Sequence, residues 1–483
     1  MKYFIHILAL GAGMLLFTAC RKNSIANNGQ NSATDSLKYN SDWTFASHGN
    51  AVPDYAVAFP QNSVNTLEIT MTATQWASIR TNMKSIYGND FGAAGQMQPP
   101  GAGTTTVEPD YVDVLLKFNG KSWKNVGFRL KGNSTLQTAW GQGNYKLPFR
   151  LNFDKFEAQY PGIKNQHFFG FEEMSFSPGY ADQSLIREKL AADIFRTAGI
   201  PAAVTAFYKV YIDIGAGLKY CGVYTGVELP DDNMIKSQFG EESGNMYKPE
   251  STFGSFVQSA FEKKNNEILA DYSDVRNFLA ALNNANRTSN PDTWRSALEA
   301  VFNMDHFIKY LAINNAIVNW DSYGVMAHNY YIYNHSAKKM MWIPWDHNES
   351  MTGSPGITGT VAMPGPGGPG GPGGGGGGKT GLSLSMNEVS SSWPLIRYVA
   401  DDPVYSGKYK TYLKSFKDNV FTEAAMNVLI DKYQNLISSA AVGVNGEKPK
   451  YTYLTSDASF TSAFTALKAH VVARRSLITT YVP

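Results

Sequence analysis

The chain has 483 residues, 43% of them hydrophobic and 17% charged, with a formal net charge of +2. This is a globular composition, long enough to bury a large core as two or three domains or as one large domain with insertions. Near-neutrality without a basic run gives no electrostatic case for nucleic acid and excludes it as the expected partner.

The first residues read as an export signal. Lys2 is followed by an apolar run from Tyr3 to Phe17, then by the small residues Thr18 and Ala19 and by Cys20. The run is too short to span a bilayer as a mature helix, and small residues closing on a cysteine are what a lipoprotein signal peptidase reads. Residues 1–20 are therefore expected to be a lipoprotein signal peptide. Cys20 is expected to carry lipid and hold an exported chain to a bacterial membrane, the outer membrane in preference. Residues 21–50 are polar and small and are expected to form a flexible tether to a folded domain over 64–483. Only two cysteines exist. With Cys20 lipidated, Cys221 has no intramolecular partner, and it reads as a small core residue in a strand.

VNTLEITM, from Val64 to Met71, alternates like a strand, and TATQWASIRTNM after it reads as a helix capped by threonine. A loop rich in Gly and Pro follows. YVDVLLKFNGKSWKNVGFRLKG then predicts a hairpin turning at Asn119 and Gly120, and KLPFRLNFD a further strand. Ser184 to Ala198 carries apolar residues at helical spacing and stops at Gly199 and Pro201. FYKVYIDIG and KYCGVYTGVEL are another strand pair. The second half is mainly helical: VRNFLAALNNA, DTWRSALEAVF and MDHFIKYLAINNAIVNW space their apolar residues by three and four. One short hairpin interrupts it, YYIYN and KKMMWIPWD about the turn HSA. Residues 364–378 are almost wholly Gly and Pro and are expected to be a mobile surface loop. Helices resume at SSWPLIRYVADD. The expected fold is α+β and bilobal, an antiparallel sheet with a helix packed on it, then a mainly helical half.

GGGGGGKT, residues 373–380, formally satisfies the phosphate-binding G-x-x-x-x-G-K-[ST] pattern. No strand leads into it and no helix leaves it, so its amides have no helix N-terminus to share, and a glycine run meets the pattern without meaning. Neither a G-x-S-x-G elbow nor an H-E-x-x-H helix occurs. His328, His335 and His347 gather around the second hairpin, but their spacing fits no zinc pattern and they read as hydrogen-bonding loop residues.

The segment from Asn319 to Ser350 is more informative. Asp321 follows a helix end, Asn329 opens a strand, and the return strand delivers Asp346. The tight turn sets Asn329 and Asp346 at one end of the hairpin, with Asp321 close by. Phosphoryl transfer from a magnesium nucleotide needs a carboxylate at the attacking hydroxyl, and a carboxylate with an amide oxygen on the hard cation. The alternative is that Asp321 caps a turn and Asp346 forms an ion pair.

The chain also resembles the CotH kinase family, whose members resemble atypical secreted protein kinases. Seven blocks match in order: VGFRLKGNST, KLPFRLNFDKF, SLIREKLAADIFRTAGIP, VYIDIGAGLKYCGVYTGVEL, GNMYKP, HNYYIYN with WIPWDHN, and WPLIRYVADDPVY. The resemblance covers roughly Val64 to the C-terminus, and a glycine-rich insertion is typical of it. It implies an atypical kinase-like fold using ATP with magnesium or manganese. Asp321 would be the catalytic aspartate, and Asn329 and Asp346 metal ligands. Arg129, Lys146 and Arg150 would hold nucleotide phosphates, and Glu228 would pair with one of these cations. Many members carry a second acid where this chain has Asn348, which can still ligate a cation through its amide oxygen but brings no charge. The implied function is phosphate transfer to hydroxyls of a protein at the cell surface or in the periplasm. The rival reading is a surface adhesin on the same fold without turnover, for which 27 Tyr and 9 Trp would supply flat contact rings.

Overall fold

The computed structural model describes residues 41–93, 107–352 and 381–483. Two one-turn helices, α1 (Phe45–His48) and α2 (Tyr55–Ala58), precede strand β1 (Asn65–Thr70) and helix α3 (Ala73–Tyr87). Thr72 and Gln75 form a reciprocal capping box at the start of α3, which satisfies two otherwise unpaired amides. The expected hairpin is present as β2 (Val112–Phe118) and β3 (Lys121–Leu130). Asn119 and Gly120 turn it with φ of 49° and 74°, as a two-residue turn matching strand twist requires. Helix α4 (Ser134–Gln142), β4 (Phe149–Asn152), β5 (Glu173–Ser177), α5 (Arg187–Thr197), β6 (Thr205–Asp213) and β7 (Lys219–Val227) follow.

These seven strands close into a barrel in the order β1-β2-β3-β4-β5-β7-β6. All neighbours are antiparallel except β1 and β6, which run parallel from Asn65 opposite Tyr208 to Thr70 opposite Asp213. The expected antiparallel sheet is thus corrected to a barrel with one parallel seam. Closure removes the exposed edges that β1 and β6 would otherwise present. Alternate residues point inward: Leu67, Ile69, Leu116, Phe128, Phe149 and Tyr208 are buried in one apolar cluster. The residues between them, Arg129 and Arg150 among these, belong to the barrel's outer face.

The remaining elements are α6 (Asp232–Phe239), β8 (Met246–Pro249), β9 (Phe261–Lys263), α7 (Ser273–Leu282), α8 (Asn286–Ser289), α9 (Pro291–Glu299), α10 (Met304–Ala316), β10 (Tyr330–His335), β11 (Lys339–Pro344), α11 (Pro394–Asp401), α12 (Pro403–Asn419), α13 (Glu423–Ala441) and α14 (Asp457–Tyr481). A four-stranded sheet, ordered β11-β10-β8-β9, sits among these helices. Tyr247, Tyr330, Ile332 and Trp342 on one face of this sheet share a core with α5, in which Phe195 stacks on Tyr310 and Tyr310 on Trp342, while Met246, Tyr331, Tyr333 and Ile343 on the other face lie in a separate cluster. Among the described residues no helix is long and apolar enough to cross a membrane.

Residues 41–50, expected in the tether, belong instead to the folded part. The buried ring of His48 stacks on Trp123 at 4.3 Å, and its Nε2 reaches the Ser122 carbonyl at 2.9 Å. The aromatic residues among the polar ones give this stretch something to bury, which a polar tether lacks. Cys20, residues 21–40, the Gly and Pro tract at 364–378 and the rejected phosphate-loop match at 373–380 lie outside the described residues.

Candidate active site

The hairpin of β10 and β11 pairs Tyr330 with Pro344 and His335 with Lys339. This register leaves Asn329 and Asp346 at its open end, where the Trp345 amide donates to the Asn329 carbonyl at 3.1 Å. Both Asn329 and Asp346 have positive φ, 65° and 58°. A left-handed aspartate or asparagine is held at a cost of order 1 kcal/mol or more, a feature that concentrates at functional sites. Val318, a β-branched residue, is also left-handed at 54°, in the loop that carries Asp321 away from the end of α10.

Asp321 is fixed from two sides. His328 Nε2 donates to its Oδ1 at 2.9 Å, and Asn329 Nδ2 donates both to its Oδ2 at 3.0 Å and to its carbonyl at 2.8 Å. Burial alone would depress the His328 imidazolium. The hydrogen bond and charge of Asp321 outweigh it, with smaller help from Asp346 and Glu250, so His328 is raised above its usual range. The structure therefore brings Asp321, Asn329 and Asp346 together, as their spacing suggests.

Two further charged residues complete this group, and neither was singled out from the sequence. Lys131 follows the last residue of β3, its amide bonded to the Pro148 carbonyl. Glu188 lies in the first turn of α5, buried, and accepts the His347 amide at 3.0 Å and the Asn348 amide. Burial first, and then the charge of Asp346, pushes the Glu188 carboxyl up. Asp346 is also pushed up, by burial against the attraction of Lys131, with Asp321 adding to the rise. Lys131 is pulled down by burial, a shift the Asp346 and Glu188 charges oppose and the Arg150 charge reinforces. Lys131, Glu188 and Asp346 thus act on one another electrostatically, and Asp321 acts on Asp346, joining the barrel, α5 and the hairpin at one place.

The other expected residues divide. Arg129 and Arg150 are opposite one another in the β3–β4 ladder, on the barrel face where Lys131 emerges. Arg129 is buried and bonded to Glu108 at 2.8 Å, and Arg150 is held loosely by Glu173 at 3.5 Å. Lys146 does not join the group. Its side chain is fully buried against Glu447 at 2.6 Å, with Tyr224 and Tyr453 around the ammonium. Its ammonium is closed into that ion pair, apart from Asp321, Asn329 and Asp346, whereas Lys131 lies among them. Glu228 is likewise engaged elsewhere. It accepts the Tyr55 hydroxyl at 2.5 Å and the Val204 amide at 2.8 Å, and burial pushes its carboxyl up to about 7. From α5, the acid whose charge acts on Lys131 is Glu188. Asn348 is half-buried beside it.

Of the three histidines, His328 serves Asp321 and His335 accepts the Ala337 and Lys338 amides at 3.0 and 3.2 Å. His347 departs from the expected loop hydrogen bonding. Its buried ring lies 5.1 Å from Phe195, neither ring nitrogen has a partner among the described residues, and burial pushes its pKa down to about 3. Cys221 is buried in β7 as expected, with its thiol pushed up to about 12 by burial.

A signal for Lys131 and Glu188 was present in the sequence. Both lie in the matched blocks VGFRLKGNST and SLIREKLAADIFRTAGIP, and Glu188 falls within the apolar pattern Leu185, Ile186, Leu190, Ala191 and Ile194 of its helix. An acid on a core-facing stripe needs a buried partner, and that was the observable clue.

Among the described residues no group of three or more His, Cys, Asp or Glu side chains could by itself hold a metal ion. The donor set at the hairpin end still suits a cation shared with a ligand. Asp346 and Asp321 repel one another, and Asn329, having turned its amide nitrogen to Asp321, keeps its side-chain oxygen as an acceptor. Magnesium is commonly held by one or two carboxylates with substrate phosphates completing its shell.

A family model described as CotH kinase protein matches residues 128–478. No curated protein matches the chain. Among solved structures, a Helicobacter pylori protein titled as the proinflammatory kinase CtkA aligns at 9% identity, over 71% of this chain and 94% of that one. Its TM-score of 0.29 is too low to argue from.

Proposed function

Because the chain belongs to the CotH kinase family, we propose that it is an exported, lipid-anchored kinase-like enzyme that moves a phosphoryl group from a metal nucleotide to a hydroxyl of a surface or periplasmic protein. The single observation that carries this reading is the meeting of Lys131, Glu188 and Asp346 beside the Asp321–Asn329 pair. Protein kinases require a strand lysine paired with a helix glutamate, together with a metal-holding aspartate and an acceptor-side aspartate. The chain offers one residue for each role from four separate segments. In this reading the barrel and the helical part are the two lobes, and the cleft between them takes the nucleotide.

Lys131, with Arg150 near it, meets the phosphate oxygens, and Glu188 keeps the ammonium aimed. Asp346 and the Asn329 amide oxygen hold a magnesium or manganese ion, with Asn348 as a further oxygen donor. A bound cation there supplies charge neutralisation to the transferring phosphoryl group. Asp321 accepts the proton of the acceptor hydroxyl as its oxygen bonds to phosphorus and the bond to the nucleoside diphosphate breaks. His328 and Asn329 orient that carboxylate. Export and the lipid on Cys20 rest on the first twenty residues alone.

The test is incubation of the purified protein with γ-labelled ATP, magnesium or manganese, and a panel of surface proteins. Label on a protein hydroxyl supports the reading. Binding of acceptors with neither nucleotide binding nor transfer would favour the adhesin.

A further inference from the structure

Glu188 occupies one side of α5, and a different side of the same helix carries a buried charged cluster that the site does not use. Lys189 is 1% exposed. Its ammonium donates to Asp193 Oδ2 at 3.0 Å, to the Thr205 carbonyl at 2.9 Å and to Gln61 Oε1 at 2.7 Å. Asp193 in turn receives Arg196 from its own helix and the Tyr433 hydroxyl from α13. The Tyr433 ring also lies 4.9 Å from the Lys189 ammonium. One carboxylate therefore collects donors from α5 and α13, while its lysine partner ties α5 to β6 and to the segment before β1.

We propose that Asp193 and Tyr433 are positioning residues that pin α5 from its far side and so hold Glu188 on the His347 amide, in the charged group with Lys131 and Asp346. Glu188 and Lys189 are consecutive, about 100° apart around the helix, so a rotation or slide that withdraws Glu188 must drag Lys189 and Asp193 out of their shared contacts. Those contacts are buried and charged, and breaking one member strands the others without water. Every residue from Glu188 to Phe195 is buried, so no exposed face of this stretch is available to ease the motion. α5 is thereby fixed with its glutamate inward by the fold itself, without an activating ligand. The role assigned to Glu188 rests on the kinase reading above, whereas the pinning of α5 does not.

The experiment uses the full protein and Tyr433→Phe, which keeps the ring over Lys189 and removes only the hydroxyl, with Asp193→Asn as the stronger variant. Amide hydrogen exchange over 187–197 is expected to speed up at least tenfold in Tyr433→Phe while that of α12 stays as in wild type. Phosphoryl transfer is expected to fall about tenfold in kcat with little change in nucleotide KM. In a Glu188→Gln background the same Tyr433→Phe change should add less than twofold, because the pin acts through Glu188. Exchange over α5 within twofold of wild type overturns the pin. A full tenfold loss repeated in the Glu188→Gln background overturns the route through Glu188. If wild type transfers no phosphate, the kinase reading fails, and the exchange comparison still decides whether α5 is pinned.

Discussion

Glu188→Gln is the perturbation that most sharply separates the site from the fold. The glutamine keeps the shape and one acceptor for the His347 and Asn348 amides, but loses the charge facing Lys131. Unlike charges beyond ion-pair distance attract by about 2–3 kcal/mol at an effective dielectric near 20, and the loss of that much transition-state stabilisation is roughly a 10²-fold fall in transfer rate. Stability should move the other way. The folded carboxyl is pushed up by burial and by Asp346, so its proton stabilises the fold at acid pH, below the unfolded carboxyl range, and that contribution is lost as pH rises through the raised value. Glutamine removes this loss, so the melting temperature at pH 8 should stay level or rise. The assay is initial-rate transfer at saturating metal nucleotide beside thermal unfolding at pH 6 and pH 8. A variant within threefold of the wild-type rate, or one whose rate loss matches a loss of folded protein, would refute the reasoning.

Replacing each of the two candidate lysines in turn distinguishes their roles. Lys131→Met should weaken metal-nucleotide binding in calorimetry, whereas Lys146→Met, which leaves Glu447 buried without its partner, should lower thermal stability and leave binding by the remaining folded protein unchanged. His470 is buried with neither ring nitrogen partnered among the described residues. Burial, with Arg474 and Arg187 nearby, pushes its pKa down to about 3. The unfolded chain takes up the proton below about 6.5 and the folded chain does not, so stability falls with acid, by about 2 kcal/mol at pH 5. Denaturant melts of His470→Leu should show a smaller drop between pH 7 and pH 5 than wild type, and parallel curves would contradict it. Cys20→Ser should release the protein from the membrane fraction, and its recovery there at wild-type levels would count against the lipid anchor.

Much of the local structure was legible in the sequence because it is locally determined. Asn119 and Gly120 specify their turn, Thr72 its cap, and alternating residues the faces of β2 and β3. Barrel closure was not legible, since the parallel seam of β1 on β6 joins strands far apart in the chain and no local pattern records it. Among the site residues, Asp321, Asn329 and Asp346 could be grouped because one hairpin and the loop leading into it carry them all. Lys131 and Glu188 come from a strand end and a helix start that only tertiary packing brings to that hairpin. Arg129 and Lys146 were equally plausible by residue type. What separates Lys146 from Lys131 is Glu447, about three hundred residues from Lys146 in the chain, whose carboxylate holds Lys146 in an ion pair, whereas Lys131 only feels the charge of Asp346.

The central claim is that Asp346 holds a metal nucleotide while Asp321 serves the acceptor, and a paired comparison measures it most directly. Calorimetric binding of magnesium ATP and labelled transfer are recorded for wild type, Asp346→Ala and Asp321→Ala. Asp346→Ala is expected to lose metal-dependent binding and transfer together. Asp321→Ala should bind as wild type does and lose roughly 10²–10⁴ in rate, the range for general-base work. Wild-type binding and transfer in both variants would contradict the assignment of this site.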